Sequence, residues 1–371
     1  RNAWDTSKGR GVTIAIIDAG VDGNVPELQG VVAGGTDFSG IGAPDGQTPV
    51  GSVGSEHGTM VAGLAAGRGS GGNNGVIGSA PESVVLAISI GFGEGTLSSD
   101  DQIAQAVRWA VDHGADVINM SLTRNTLDWP VSWDDAFLYA QEHDVVVVAA
   151  AGNRGSGTTQ VGAPATMPGV LTVAGVDANG EASCDASSQG ITIAVAAPSE
   201  NLVGVVPGGG HVIWNGTSGA TPIVAGVVAL VRAAHPELDA ANVINRVVAT
   251  ARDEGAPGPD PIYGFGLLDA EAAVNATVPA VDANPMGDLA EWIKLYRRAE
   301  STPSPLPTFV PSPSPAPVAA GPQNPLGTIL PTVNQLRNVG IPLAVLAVFL
   351  ALAVGVVVAA VRRFRGTRRT L

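Results

Sequence analysis

A single cysteine, Cys184, stands in a chain of 371 residues, so no disulfide can form within it. A chain this long can bury a core without covalent staples, and the lack of bridges does not by itself fix the redox compartment. Cys184 is expected to be a small, partly buried side chain. Basic residues are also scarce. Five of the 19 Lys and Arg fall in the last ten positions, which leaves 14 against 33 acidic residues in the rest of the chain. A body so acidic has no patch to neutralise phosphates, which excludes nucleic acid as a partner. Aromatics are only 4% of the chain. Glycine-rich GxGxxG punctuation between a strand and a helix is absent, which argues against a dinucleotide-binding domain. His113, His143, His211 and His235 lack the spacing of zinc ligands, so no metal is assigned to them. The chain begins at Arg1, without an initiating Met or a signal-peptide pattern. Its numbering is therefore expected to be that of a processed product.

What is present sorts into zones. Residues 1–275 alternate short apolar runs with helical patterns. Strands are expected at Val12–Ile17, Val84–Ile90, Val117–Leu122 and Val145–Ala150. Helices are expected from His57 to Ala66, Asp100 to His113, Ser132 to Glu142, Thr217 to Ala234 and Asp239 to Ala251. Runs such as VVVVAAAG read as strands covered on both faces, and the alternation predicts a mostly parallel sheet with helices on both sides. Residues 276–300 form a joint. Within it Leu289, Trp292, Ile293 and Tyr296 make one helical stripe, expected to dock on the first domain.

Residues 301–339 form a disordered linker, with Pro at nearly every second or third position of TPSPLPTFVPSPSPAP. About 30 such residues at ~3.1 Å each would reach roughly 90 Å. Residues 340–361 are apolar and include 21 successive uncharged positions, close to the ~20 needed to cross a bilayer. Arg362, Arg363, Arg365, Arg368 and Arg369 follow in the tail 362–371, while only Arg337 is basic just upstream. The positive-inside rule then puts the C-terminus in the cytoplasm and the N-terminal domain outside a single-pass membrane anchor.

Three short motifs carry the chemistry. IAIIDAGVD ends a buried strand at Asp18, HGTMVAG opens a helix at His57, and NGTSGATP opens an apolar helix at Ser218. Singly, each has a plain structural explanation: a turn aspartate, a helix-start histidine, an N-cap signal. In the order Asp, His, Ser they match one of the known triad arrangements. The motifs resemble those of the subtilase family over roughly residues 4–275. GVIGSAP (75–81), DVINMSL (116–122), AAAGN (149–153) and YGFGLLDA (263–270) extend the resemblance.

The resemblance implies a three-layer α/β peptidase domain, with a catalytic triad of Asp18, His57 and Ser218 and an oxyanion donor at Asn153. It implies that Gly91, Gly93 and Gly95, within GFGEGTL, lie on an extended segment that pairs with the substrate backbone. Met120, Ser121, Leu122, Ala151 and Gly152 would line the opposite side. Polypeptides are the implied substrates, and an inhibitory pro-segment is expected in an exported precursor. No cofactor is required. The family's structural calcium has a thin counterpart, Glu27 and Asn74, beside a shortened GGNNGVIG loop. One carboxylate and one amide fall short of the 6–8 oxygens calcium takes.

The chain departs from the family at Ala19, where Ser or Thr is usual, at Thr123, where Gly is common, and at Gly219, where a larger residue often stands. Gly219 is expected to open the leaving-group side. The whole layout, with its Pro-rich linker and C-terminal span, resembles the mycosin-type proteases of actinobacterial type VII secretion. The other reading is a non-catalytic module that holds peptides or secretion components on the same scaffold.

Overall fold

The computed structural model describes residues 2–297 apart from Asn73 and Thr96. The expected linker 301–339, span 340–361 and tail 362–371 lie outside the described residues. Seven parallel strands make one sheet: β1 (Thr13–Asp18), β2 (Val32–Asp37), β3 (Val84–Ser89), β4 (Val117–Met120), β5 (Val146–Ala150), β6 (Leu171–Val176) and β7 (Ile193–Pro198). Their spatial order is β2-β3-β1-β4-β5-β6-β7. The order reverses between β1 and β4. In open parallel sheets the crevice beyond the carboxyl ends at such a point is where ligands bind.

Successive residues of one strand feed two cores. Ile14 and Ile16 of β1 face a layer made by α1 (His57–Ala66), α4 (Thr217–Ala234), α5 (Ala240–Ala249) and α6 (Ala270–Asn275). Ala15 and Ile17 face the opposite layer, made by α2 (Ser99–Asp112), α3 (Val131–Glu142) and α7 (Leu289–Tyr296). Val146 and Val148 of β5 divide from Val147 and Ala149 in the same way. Burial on both faces is why these strands read as unbroken apolar runs rather than as alternating ones. The helices start where capping chemistry allows. Ser98, Asp239 and Asp288 each accept a backbone N–H in the first turn of α2, α5 and α7.

The expected elements are found within a residue or two at their ends, with one informative difference. The fourth strand stops at Met120 rather than Leu122, because pairing with β5 ends at Met120↔Ala149. Ser121 and Leu122 leave the sheet there, and Ser121 turns toward Ser218. Strands β2, β6 and β7 add to those expected, as does an antiparallel hairpin of β8 (Leu202–Val205) and β9 (His211–Trp214). The hairpin lies on α1, where the absence of a side chain at Gly204 admits Met60. The stripe on α7 docks as expected. Leu289 is fully buried, Trp292 packs on Trp129 with ring centroids 4.4 Å apart, and Arg297 pairs with Asp134 at 2.7 Å. Among the described residues one helix, α4, is long and apolar enough to cross a membrane, and it is the buried helix of the first core.

Candidate active site

Asp18 is the last residue of β1 and is wholly buried. Its carboxylate accepts the Ala19 N–H at 2.7 Å and faces His57 Nδ1, which lies 2.9 Å from both of its oxygens. His57 opens α1, and the next residue must be glycine for this contact to form: a Cβ at Gly58 would sit 2.2 Å from the Gly20 carbonyl oxygen. Burial disfavours the charged imidazole, but the Asp18 carboxylate, with a lesser contribution from Glu56, outweighs it. The His57 pKa therefore lies above its ordinary value. Trp214, at the end of β9, stands edge-on to the imidazole with ring centroids 5.6 Å apart.

Ser218 lies in the first turn of α4, where a backbone N–H has no partner within the helix. Four residues on, Pro222 has no N–H to give back to the Ser218 carbonyl. That carbonyl accepts the Ser121 hydroxyl instead, at 2.8 Å. The Ser218 hydroxyl in turn donates to the Ser121 carbonyl at 3.1 Å, and in this arrangement it makes no hydrogen bond to His57. A resting nucleophile often lacks its catalytic hydrogen bond until substrate is bound. The exchange with Ser121 ties the end of β4 to the start of α4.

Asn153 follows β5. Its Oδ1 accepts the Thr217 N–H at 2.8 Å and the Thr217 hydroxyl at 3.0 Å. Two donors on one oxygen fix which way the amide faces. The Nδ2 group is left without a protein acceptor among the described residues, and it lies 3.1 Å from where a Gly216 Cβ would be. An N–H donor is thus left beside the Gly216–Thr217 turn that leads into Ser218.

Other expected site residues are placed differently. Gly91 does not offer its backbone to a ligand: its N–H donates to the Gln102 side chain and its carbonyl accepts the Ser99 hydroxyl, both from α2. The Gly93 N–H also goes to Ser99, and positive φ at Gly93 and Gly95 bends the segment, so it is not the extended strand expected. Met120 and Ala151 are fully buried in the second core. Both backbone groups of Gly152 are used, its N–H by Thr217 Oγ1 and its carbonyl by the Ser188 N–H. Ser121 does reach Ser218, whereas Leu122 is buried in the second core. Gly219 does not open the site. A Cβ there would meet Leu202 at 2.3 Å and Trp214 at 3.3 Å, so the hairpin fills the room that the glycine leaves. Cys184 is exposed rather than partly buried. Trp214 was missed in the sequence, although a lone Trp two residues before the Gly216-Thr217-Ser218 turn was a usable signal.

The two residues at the expected calcium position have protein partners. Glu27 is buried, and its Oε1 lies 2.8 Å from His211 Nε2 on the hairpin, so a basic side chain stands where a cation would compete for the carboxylate. Asn74 uses its backbone to close a tight turn with Gly71 and Ser70. Among the described residues no three His, Cys, Asp or Glu side chains converge on a metal position.

Comparisons with known proteins identify the family and the fold. The profile described as the subtilase family matches residues 9–266. Fervidolysin of Fervidobacterium pennivorans is 34% identical over 307 residues, which cover 74% of this chain but 42% of that longer protein. Subtilisin of Bacillus pumilus is 38% identical over 272 residues, covering 71% of this chain and 91% of its own. Among solved structures, the MycP3 protease from the type VII (ESX-3) secretion system superposes with a TM-score of 0.63 at 34% identity, over 74% of this chain and 86% of that one. These relatives and structural neighbours are proteases of the subtilisin type, and the chain is a hydrolase of the serine peptidase class. The chain belongs to the subtilase family, and its fold is that of a mycosin-like member.

Proposed function

We propose that Asp18, His57 and Ser218 form the catalytic triad of an endopeptidase, with the Asn153 amide and the Ser218 N–H as its oxyanion donors. The observation that carries this is the pair of fixed orientations: His57 held by both oxygens of Asp18, and Asn153 held by Thr217 with its Nδ2 free. The Ser218 hydroxyl turns from the Ser121 carbonyl to His57 Nε2, gives up its proton and attacks the peptide carbonyl. The charge that forms on the carbonyl oxygen is met by Asn153 and the Ser218 N–H. His57 then protonates the leaving amine, and the acyl-enzyme is hydrolysed by water activated in the same way. None of these steps calls for a cofactor. Replacing Asn153 by Ala should lower kcat by ~10²–10³ with a much smaller change in KM, measured on a chromogenic peptide.

The same proposal places the domain outside the cell, on a single-pass anchor at residues 340–361 with the C-terminus in the cytoplasm and an inhibitory pro-segment in the precursor. Its support is the uncharged run followed by five Arg. The likeness to MycP3, a protease from the type VII (ESX-3) secretion system, supports a role in secretion. A second reading, a non-catalytic peptide holder, draws on the Ser218 hydroxyl bonding to Ser121 instead of His57.

One experiment tests these readings together. Intact cells producing the chain are treated with a membrane-impermeant fluorophosphonate probe. Labelling at Ser218, recovered in the membrane fraction, is the expected result. Labelling only after lysis would overturn the orientation, recovery in the soluble fraction would overturn the anchor, and folded protein that never labels would leave the peptide-holder reading in its place.

A further inference from the structure

The β4 and β5 chains run side by side up to Met120↔Ala149 and then part. One turns toward Ser218 through Ser121, while the other stays with β6 through the Ala151 N–H on the Val173 carbonyl. Past this point the two chains are no longer paired with each other, and the separation between them adjoins Ser218 and Asn153. With the carbonyl held by these two residues, the amine departs toward His57 and Trp214. The residue on the acyl side of the bond is then directed into the gap between β4 and β5.

That gap has a floor. Thr158 is 5% exposed, and its methyl lies 2.5 Å from where a Cβ of Gly152 would be. Its hydroxyl donates across the gap to Oδ1 of Asn125, on the chain that leaves β4. Its N–H donates to the Asn153 carbonyl at 3.1 Å, and its carbonyl accepts the Ser188 hydroxyl. Held at all these points, the side chain cannot swing aside without breaking buried hydrogen bonds. Behind it, Gly162 sits so close to the other wall that a Cβ would lie 1.7 Å from the Arg124 carbonyl oxygen and 2.6 Å from the Thr123 hydroxyl. The one charged side chain on this wall, Arg124, is paired with Asp100 and lies over the Trp133 ring, so it does not reach into the gap.

We propose that Thr158, braced by Asn125, closes the acyl-side specificity slot, so that the enzyme selects Gly, Ala or Ser immediately before the scissile bond and rejects aromatic or long side chains. This inference rests on Ser218 and Asn153 bracketing the reacting carbonyl, as proposed above. Exclusion by a filled pocket is steric, and a few methylenes are typically worth ~10–200-fold in kcat/KM.

The test uses the full chain in detergent and a set of peptides that differ only at that position: Ala, Leu, Phe and Lys. The expected result is cleavage of the Ala peptide ~10–100-fold more efficiently than the Phe peptide. Thr158→Gly should reduce that Ala-to-Phe ratio by about tenfold or more, whereas Thr158→Ser, which keeps the hydroxyl for Asn125, should reduce it less. A ratio within one preparation is not moved by partial unfolding. Equal cleavage of the Ala and Phe peptides by the native chain, or a ratio unchanged in both variants, would overturn the role of Thr158. Fluorophosphonate labelling of the same samples separates the two levels: labelled protein that fails to discriminate sinks the slot alone, and folded protein that neither labels nor cleaves sinks the triad on which it rests.

Discussion

Ser218→Ala is expected to lower kcat by about 10⁶ and to leave the fold standing. The hydroxyl is the group proposed to form the acyl bond after giving its proton to His57, so its loss removes the nucleophile. Its structural worth is small by contrast. One hydrogen bond to the Ser121 carbonyl is lost, at about 1 kcal/mol, while the return bond from Ser121 to the Ser218 carbonyl survives because it uses the backbone. Thermal melting within a few degrees of the native chain, together with loss of peptide hydrolysis, is the result to look for. Turnover retained at a hundredth or more of the native rate would show that some other residue is the nucleophile.

Asp18→Asn should cost about 10⁴ in kcat and also move the pH profile. In the native chain the Asp18 carboxylate overcomes the effect of burial and lifts the His57 pKa above its ordinary value of about 6.5. Catalysis needs the neutral imidazole. Activity should therefore fall as pH drops through the His57 pKa, with a midpoint higher than that of a free histidine. Stability runs the other way. Because the folded-state pKa is raised, the pairing of charged His57 with Asp18 stabilises the fold fully below the unfolded-state pKa, and this contribution disappears as pH rises through the folded-state pKa. With Asn at position 18 the attraction is gone and burial is opposed only by the lesser effect of Glu56. The acid midpoint should then move down even as the maximal rate collapses. A kcat/KM profile from pH 5 to 9 for both proteins checks this, and an unmoved midpoint would show that Asp18 does not set the charge state of His57.

Much of this was legible in the residues because it depends on chemistry at element ends. A buried strand that closes on Asp18, and helices that open at His57 and Ser218, put reactive groups where parallel sheets bind ligands. The expectation for Asn153 came instead from the resemblance of AAAGN to a family segment, since by itself an Asn after a strand reads as a turn residue. The misreadings came from contacts distant in sequence. Gly219 looked like an opening, but Leu202, 17 positions earlier, occupies the room. Gly91 and Gly93 looked like free strand backbone, but Gln102 and Ser99, both in the first turn of a following helix, take their hydrogen bonds. Strand β2 escaped notice because VAGGTD carries two glycines. Gly35 is needed because a Cβ there would strike the Ala87 and Asp45 carbonyls, a constraint set by a neighbouring strand and a loop. Strands β6 and β7 are six-residue apolar runs, too short for periodicity to separate them from a buried piece of helix.

The seat of α7 also has a mechanical meaning. Arg297 grips the Asp134 carboxylate and the Trp129 carbonyl, and Trp292 lies against the Trp129 ring. A pull on the chain from beyond residue 297 enters the domain through this grip and passes into α3. That helix belongs to the layer behind the sheet, whereas α1 and α4, which carry His57 and Ser218, form the layer in front. Tension arriving from the C-terminal side would be spent on the rear layer.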